Sequence, residues 1–336
     1  AYNFANTWDI PSAAIGGAGT IQNINGNIRV YTTGITRSIG AAASGAGGAG
    51  GANATFAMAI NRSTAENFIG REVTIYAPDS NVDVFHNLTA EARAYIIAVS
   101  AGAVAVNASV VLVINNFEAH SWIGDLSGEA SSNGRLTAKD IAVSANAKTL
   151  TEGIGVAVSA GAVACNGLVA LAFNTTGNRA SVARKNITAD RLTVVSVIDG
   201  DTTILATSLA GGAAGIGAIV SAAVSEADNT AQLDLSDCDM VIGVVSVNAG
   251  TESKPNDNQA LVLGVTGAAG GVNAALNIGI AKNSGYNRAL VTGSSNGSLQ
   301  SDYLVVNAIG LARAYAVLTG AAVGSMNVQA SVAVAY

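Results

Sequence analysis

Apolar and polar positions alternate with a period of two along most of the chain, and the same alternation returns at intervals. The clearest example is Ser159–Asn174, SAGAVACNGLVALAFN. A run of small residues is followed there by a polar residue, and then by bulky apolar residues at every second position. A period of two is typical of β-strands, because successive side chains point to opposite faces. The pattern therefore predicts an all-β protein.

Related segments recur along the whole length. When they are aligned on the residue after the small-residue run, the anchor positions are Asn53, Asn107, Asn166, Gly217, Asn273 and Asn327. Neighbouring anchors are separated by 54, 59, 51, 56 and 54 residues. A recurring period indicates stacked units that each contact mainly their neighbours. We predict a single repetitive β domain over residues 1–336, a β-solenoid (β-helix-like) built from about six whole repeats of about 56 residues.

The two faces of the anchor strands differ in side-chain size. When the anchor is counted as position one, the even positions carry bulky apolar residues, and this side is predicted to face the core. The odd positions carry the anchor and then small residues such as Thr55, Ala57 and Ala59, without Lys, Glu or Arg. We expect this side to be covered by a second layer at close range, so both faces are predicted to be buried. The bulky set consists of Phe56, Met58 and Ile60; Val110, Leu112 and Ile114; Val169, Leu171 and Phe173; Leu276, Ile278 and Ile280; and Val328, Val332 and Val334.

Each small-residue run is preceded by another predicted strand, and several anchor strands are followed by a third. Turn-forming residues bound these strands, and no segment shows a convincing amphipathic helical period. The preceding strands are predicted at 27–31, 72–76, 140–144, 191–195, 244–247 and 303–306, and the following ones at 178–183, 230–235 and 287–291. Turns are predicted at 23–27, 78–81, 131–134, 199–201 and 294–297.

Asn occupies five of the six anchor positions, and two interpretations remain open. Stacked Asn side chains can form amide ladders, in which each amide donates to one neighbour and accepts from the other. Asn also tolerates a left-handed backbone at the end of a Gly-rich run, and Gly217 in one of the anchor positions favours this second interpretation.

The composition of the chain limits the kinds of molecule that it is predicted to bind. Charged residues are only 11% of the chain, which suggests that much of the surface is hidden inside the fold or against partners. The net charge of −6 and the lack of clustered Lys and Arg argue against a nucleic-acid partner. The apolar run 94–114 is interrupted by Ser100 and Asn107 and lacks basic flanks, so no membrane span is predicted. Cys165 and Cys238 lie at non-equivalent places in different repeats, so their spacing does not predict a disulfide and both are expected to be free thiols.

The two ends of the chain carry a further signal. Tyr2–Ile10 resembles Asn115–Ile123, a segment that directly follows an anchor strand. Joining the C-terminus to the N-terminus places Asn327 and Asn53 62 residues apart, close to the internal steps. We expect one of two situations: an excerpt of a longer array, or a protomer whose unfinished coil is completed head to tail by the next copy.

Candidate chemistry is sparse. The best candidates for binding calcium are the acidic turns at Asp79, Asn81 and Asp83, at Asp199 and Asp201, at Asp237 and Asp239, and at Asp257. Carboxylates in turns are by default exposed to solvent, and no cofactor is predicted. The pairs Asp199 with Asp201 and Asp237 with Asp239 are the only candidates for polysaccharide hydrolysis, and the insertions are too short to wall a groove. His86 and His120 lie in different repeats and predict neither a zinc site nor a triad. The chain is not expected to be an enzyme.

A family resemblance rests on the repeated pattern. The Gly/Ala/Val run, the motif N-[AG] with alternating apolar residues, and the short LTA and ITA turns at Leu136–Ala138 and Ile187–Ala189 resemble those of very large repetitive secreted bacterial proteins. These include filamentous-haemagglutinin-like adhesins, autotransporter passengers and leukotoxin-like surface proteins. The resemblance implies a β-solenoid body, an extracellular or bacterial cell-surface location and a role as stalk, adhesin or filament. It carries over no catalytic residues.

Two functions are expected from these observations. The first is a structural protein of an extracellular fibre or stalk, whose partner is a further copy of itself, joined head to tail through open β edges and small-residue sheet packing. The alternative is an adhesin or toxin segment that binds a host or surface ligand through exposed turns, with Trp122 and Asn256 as the residues to test.

Overall fold

A computed structural model describes residues 2–7, 12–16, 19–22, 26–126 and 134–336, and every regular element in these ranges is a β-strand. The predicted all-β class is therefore confirmed. No described helix has the length and apolarity needed to cross a membrane. The strands are β1 (Tyr2–Thr7), β2 (Ala13–Ile15), β3 (Thr20–Gln22), β4 (Ile28–Ala46), β5 (Gly50–Gly70), β6 (Thr74–Ala77), β7 (Val82–Gly124), β8 (Arg135–Ala183), β9 (Asn186–Gly211), β10 (Ala214–Asp234), β11 (Asp239–Ala249), β12 (Asn256–Ala269), β13 (Val272–Ser284), β14 (Asn287–Thr292), β15 (Ser298–Gln300), β16 (Tyr303–Ala308), β17 (Gly310–Val323) and β18 (Met326–Ala335).

The chain winds into coils, and each strand pairs in parallel with a strand one coil further along. In β7, Val82–Ser100 forms the first arm of a coil and Val104–Gly124 forms the second arm. Residues 101–103, the tip, join these two arms. At the other end of the coil, the base, a short strand such as β6 leads back to the next first arm. The winding is solenoid-like, as the period indicated.

The arms keep their length from coil to coil, whereas the connections between them vary. The second arm Val104–Gly124 pairs residue by residue with the preceding second arm, Gly50–Gly70, at an offset of 54. It pairs in the same way with the following one, Val163–Ala183, at an offset of 59. The connection after the second arm covers 125–134 in one coil and only 184–185 in the next. Most of the unequal steps therefore arise in the connections at the base. One arises within a first arm, where residues 250–255 separate β11 from β12 and the pairing offset to β9 changes from 53 at Ala249 to 58 at Asp257.

The core changes along the arms. Near the tip it consists mainly of alanines from two facing arms, such as Ala57, Ala94 and Ala170, with fewer large residues such as Ile96 and Leu168. At the base, where the short strands close the coil on a third side, it contains larger residues such as Leu136 and Leu192. A two-sided interior leaves room for few large side chains, whereas a three-sided one encloses more volume.

The bulky side of the anchor strands points outward, so the predicted core face is wrong. Phe173, Leu276 and Val332 are 38%, 41% and 52% exposed, whereas Ala57 and Ala223 on the opposite side are completely buried. Alternation identifies two faces but not which of them lies inside. The small face lies inside because the two arms approach closely there, as expected for that face.

Some predicted strands and turns also shift. Residues 199–201 lie inside β9 and are not a turn, and only the end of the predicted strand 72–76 belongs to β6. The strands predicted at 178–183 and 230–235 continue second arms, in β8 and β10. The turn at 78–81 is confirmed, whereas 23–25 and 131–133 lie outside the described residues.

Glycines stack at the tip of successive coils. A Cβ atom added at Gly102 would lie 2.2 Å from the carbonyl oxygen of Gly48, and one at Gly161 would lie 2.0 Å from that of Gly102. A Cβ at Gly212 would lie 1.6 Å from the carbonyl oxygen of Gly161, and Gly270 and Gly324 repeat the contact. The obstructing atom is always backbone of the preceding coil. Glycine is thus required here for the coils to approach at strand spacing.

Replacing Gly212 with Ala is expected to destabilise the fold by at least about 2 kcal/mol, because the coils cannot separate locally without breaking paired arms. Gly211→Ala is the matched control, since a Cβ at the neighbouring Gly211 meets nothing within 4 Å. Urea denaturation of both variants measures the difference. Equal unfolding midpoints would contradict the proposed role of the stacked glycines.

Candidate functional site

The acidic segments predicted as turns are dispersed over the structure. Asp199 and Asp201 lie within β9, and Asp257 lies within β12, so their assignment to turns is wrong. Asp79 does lie in a turn, as does Asp237, whose φ is 53°. Within the described ranges, no group of three or more His, Cys, Asp and Glu side chains could hold a metal ion. The carboxylates therefore do not converge on one site there.

Several carboxylates instead form ion pairs between adjacent coils. Arg29 Nε lies 3.2 Å from Asp83 Oδ2, and Lys148 Nζ lies 3.3 Å from Asp199 Oδ2. Arg37 Nε lies 2.7 Å from Glu91 Oε2, and this hydrogen bond lowers the pKa of Glu91. Each pair joins residues at the same register position. Pairs on a surface contribute little free energy, so their main effect is to favour this register over shifted ones.

The anchor residues fall into two columns. Asn53, Asn107, Asn166 and Gly217 are paired in register. The next coil shifts by two residues, because Gly217 pairs with Ala275, and Asn273 pairs with Gly215. Asn273 and Asn327 are then paired again. A shift of two residues keeps every side chain on its face.

The anchor amides mainly bridge the two arms. Asn107 Nδ2 donates to the carbonyl oxygen of Ala98 (3.0 Å), and Asn53 Nδ2 donates to that of Val99 (3.3 Å). A ladder-type contact between anchor side chains occurs from Asn273 Nδ2 to Asn327 Oδ1, at 3.2 Å. Arg184 and Asp237 are the only described non-glycine residues with positive φ. The hypothesis of a left-handed turn at the anchors is therefore wrong.

A longer amide ladder lies further along the second arm, at residues that the alignment on the anchors missed. Asn178 Nδ2 donates to Asn229 Oδ1 (3.1 Å), and Asn229 Nδ2 donates to Asn287 Oδ1 (3.2 Å). Asn287 Nδ2 ends the ladder on the carbonyl oxygen of Ala249 (3.1 Å). The NRA motif at 178–180 and 287–289 is the sequence signal that could have identified it. Buried amides are stable only when they are paired in this way.

The ladder connects to a buried histidine on the facing arm. His86 Nε2 lies 2.7 Å from Asn178 Oδ1, and His86 Nδ1 lies 2.9 Å from Ser121 Oγ. An amide oxygen only accepts, so Nε2 carries the proton and the Ser121 hydroxyl donates to Nδ1. The connectivity matches a Ser-His-Asn triad, but all three side chains are buried. Because a substrate could not reach Ser121, we assign the group a structural role.

Burial holds both histidines neutral. Desolvation lowers the pKa of His86 to about 4, although the hydrogen bond with Asn178 opposes the shift. Desolvation also lowers the pKa of His120 to about 3, with repulsion from Arg179 and His86 adding to it. His120 Nε2 contacts Ser181 Oγ at 2.8 Å. Both histidines lie in β7, where His86 is completely buried and His120 is half-buried.

Lys185 is a buried amine that the sequence did not reveal. Its ammonium group donates to the carbonyl oxygens of Gly70, Arg71 and Val73, and the residue is completely buried. Desolvation lowers its pKa to about 8, with repulsion from Arg71 adding to the effect. Three carbonyl oxygens replace its water shell, so Lys185 ties two coils together at the base. Cys165 and Cys238 are both free, as expected.

The last coil presents an open sheet edge. Among the described residues, β16, β17 and β18 are paired on one side only, with β11, β12 and β13. Every residue of β16 and β18 is exposed, and β18 contains neither a charged residue nor proline. Charges, proline and bulges normally prevent such edges from pairing with other chains. The outward main-chain groups of β18 are therefore those to which a further coil or another chain could pair.

At the opposite edge of the solenoid, the register differs from the predicted one. Tyr2 pairs with Phe56, and Phe56 pairs with Val110. The predicted equivalence of Tyr2 with Asn115 is therefore wrong by five residues, and β1 is itself part of a second arm. Residues 8–10 of that predicted segment lie outside the described residues.

No family model, no curated protein and no solved structure matches the chain.

Replacing Asn229 with Ala is expected to destabilise the fold by about 2–4 kcal/mol, because it leaves buried partners on both sides without a hydrogen bond. Asn116→Ala is the control, since Asn116 is exposed on the second arm of an earlier coil, in β7, and should change stability by less than about 0.5 kcal/mol. Chemical denaturation measures both. Equal losses for the two variants would refute the ladder as a stabilising element.

Acid is expected to destabilise the protein partly through His86. Between pH 6.5 and 4 the unfolded chain binds a proton at this residue and the folded chain does not, so stability falls as the pH is lowered through this window. The full effect is about 3 kcal/mol. Measuring unfolding free energy at pH 7, 5.5 and 4.5 in the protein and in His86→Gln tests it, because the variant should show a shallower loss. An unchanged pH dependence would exclude His86 as a source.

Proposed function

We propose that this chain is a structural protein of an extracellular fibre or stalk, built from six repeats of about 56 residues, whose partner is a second copy of itself. The copies join head to tail through the open sheet edge of the last coil. The extracellular or cell-surface location follows from the resemblance to repetitive secreted bacterial proteins.

The proposal rests on one observation: the two edges of the solenoid carry the same register columns. Leu311 of β17 belongs to the column that begins at Ile35 of β4, through five successive strand pairings. A second copy can therefore place β4 on β17 so that residues of the same column pair, as they do between coils within the chain. Such a contact is heterologous and does not close, so it extends into a fibre.

Side chains at this seam are compatible, apart from one like-charge pair. Leu311 meets Ile35, and both are more than half exposed in the single chain. Gly48 would lie next to the carbonyl oxygen of Gly324, where every coil requires glycine. Arg313 would lie beside Arg37, and each already contacts its own carboxylate, Asp257 or Glu91. Assembly should therefore strengthen as salt screens the two arginines.

Ser331→Pro is expected to prevent assembly while leaving the monomer folded. In parallel strands the N–H groups of alternate residues point to opposite neighbours. Those of Met326 and Tyr336 donate to the carbonyl oxygens of Gly271, just before β13, and of Ala281, within β13. The N–H of Ser331 therefore points to the open edge, and proline removes it without breaking an internal bond. Ser331→Ala keeps the N–H and serves as control.

Light scattering and negative-stain microscopy over a concentration series measure assembly. Fibres from the unmodified chain and from Ser331→Ala, with monomers from Ser331→Pro, would support the proposal. Monomers from the unmodified chain at high concentration and high salt would refute it.

The two residues named as tests of the adhesin alternative do not lie where that alternative placed them. Trp122 lies in β7 and stacks on Phe68 with a centroid distance of 4.6 Å, and Asn256 lies in β12 and is buried. Neither is in an exposed turn.

A further inference from the structure

The outer side of the second arms is apolar over the half of the solenoid that ends in the tip. Every second residue there points outward, and the pairings of successive coils arrange these residues in columns. Lys282, in the column of Ile60, is the only charged residue of this apolar face. The columns of the face begin at Gly50, Ala52, Ala54, Phe56, Met58 and Ile60 of β5 and run through the second arms of β7, β8, β10, β13 and β18.

The apolar face is larger than the apolar patches that soluble monomers expose. Residues 50–60 of β5 and their equivalents in the later coils cover about 1,000 Å², given a rise of about 3.3 Å per residue and a strand spacing of about 4.8 Å. The largest apolar patch of a monomer is usually about 300–600 Å². The side chains of the face are open to solvent, since Val220 is 42% and Leu276 is 41% exposed. A face of this size is expected to be covered by a partner.

We propose that the apolar face binds the same face of a second copy, so that two solenoids pack sheet on sheet. An area of about 1,000 Å² per copy is sufficient, because specific interfaces bury about 800 Å² per partner. The contact is lateral and uses side chains, whereas the head-to-tail contact uses main-chain groups at a sheet edge. It therefore goes beyond the proposed function and does not depend on it.

Side-chain size gives the face a furrow beside a ridge. The furrow is the column of Ala54, in which the other members are Ala108, Gly167, Ala218, Leu276 and Ala330. The ridge is the next column towards the base, which consists of Phe56, Val110, Val169, Val220, Ile278 and Val332. A two-fold axis parallel to the solenoid, between these two columns, places the ridge of each copy in the furrow of the other. The contact is then isologous, the two tips point in opposite directions, and both solenoids run the same way.

Charges beside the face favour this arrangement over one in which the two tips are aligned. The two columns that border the face on the base side carry the carboxylates of Glu118, Glu226 and Asp228 and a single basic residue, Arg62. Aligned tips would bring these acidic columns of the two copies together. Opposed tips leave them at or past the tip of the second copy, in solvent. The acidic border also disfavours a membrane, because membrane-surface helices usually carry Lys and Arg beside their apolar face.

Val220 and Val265 provide a matched pair for the test, because each is 42% exposed and Val265 lies on the outer side of a first arm, in β12. Each is replaced with Lys in the Ser331→Pro chain, in which head-to-tail joining is blocked, and sedimentation equilibrium measures association. We expect dimers of Ser331→Pro alone and with Val265→Lys. Val220→Lys should raise the Kd of the dimer at least about a hundredfold, because two charges per dimer would be buried without partners.

Cross-linking in the otherwise unmodified chain tests the arrangement of the two copies. The two-fold axis places Cys165, in the column of Ala52, opposite Leu171 of the second copy, in the column of Met58. A short bis-maleimide should therefore convert Leu171→Cys into covalent dimers. The unmodified chain should give none, because the two Cys165 residues lie about 20 Å apart along the strands. Cys238 does not interfere, since it is buried and desolvation raises its pKa to about 11.

Three results would overturn the proposal. The first is a Ser331→Pro chain that remains monomeric at high concentration, together with no cross-linking of Leu171→Cys. The second is equal weakening of the dimer by Val220→Lys and Val265→Lys. The third is flotation of monomeric Ser331→Pro with phosphatidylcholine vesicles, which would assign the face to lipid. None of them bears on head-to-tail growth, which is measured on the unmodified chain and on Ser331→Ala.

Discussion

Parallel main-chain pairing in register is the constraint on which the rest of this structure depends. Over most of each arm a residue lies beside its equivalent one coil away, so its position in the sequence becomes a column in space. Columns make small residues obligatory at the tip, where the glycines stack against carbonyl oxygens. They also make polar residues acceptable in the interior, because amides at the same position can pair with each other.

The same constraint explains why the solenoid carries polar residues inside and bulky apolar residues outside. Two arms in close contact leave little volume between them. The inner columns are filled mainly by Ala, Ser, Thr and Asn, with hydrogen bonds across the gap or along the column, and by fewer large residues such as Ile96 and Leu168. The large side chains then project outward, where neighbouring coils cover them only partly. Phe173 and Leu276 are examples, each a little over one third exposed. This outer surface carries few charges, consistent with the low charged content of the chain.

Main-chain N–H and C=O groups find hydrogen-bond partners within the sheet, whereas those that point outward from an edge strand do not. Inside the solenoid, each arm has a neighbour on both sides, and cross-coil ion pairs such as Arg29 with Asp83 favour the correct register. On the side of β18 away from β13, the described strands place no neighbour beside the same main-chain groups, and β18 lacks the charges that usually protect an edge. The function that we propose follows from this asymmetry between a satisfied interior and an available edge.

The sequence by itself determined the β class, the stacking of related segments and the position of most anchors, because period-two alternation and a recurring spacing report directly on strand geometry and on parallel stacking. Asn53, Asn107 and Asn166 are paired as the alignment predicted. Only the tertiary structure decided which face lies inside, since Ala57 and Phe56 alternate equally well whichever way the strand is turned. It also decided the pairing of Asn273 with Gly215, because a shift of two residues preserves the alternation and leaves no trace in the pattern. The ladder of Asn178, Asn229 and Asn287, and its contact with His86, required the facing arm as well, and a spacing along one chain cannot specify what lies across the interior.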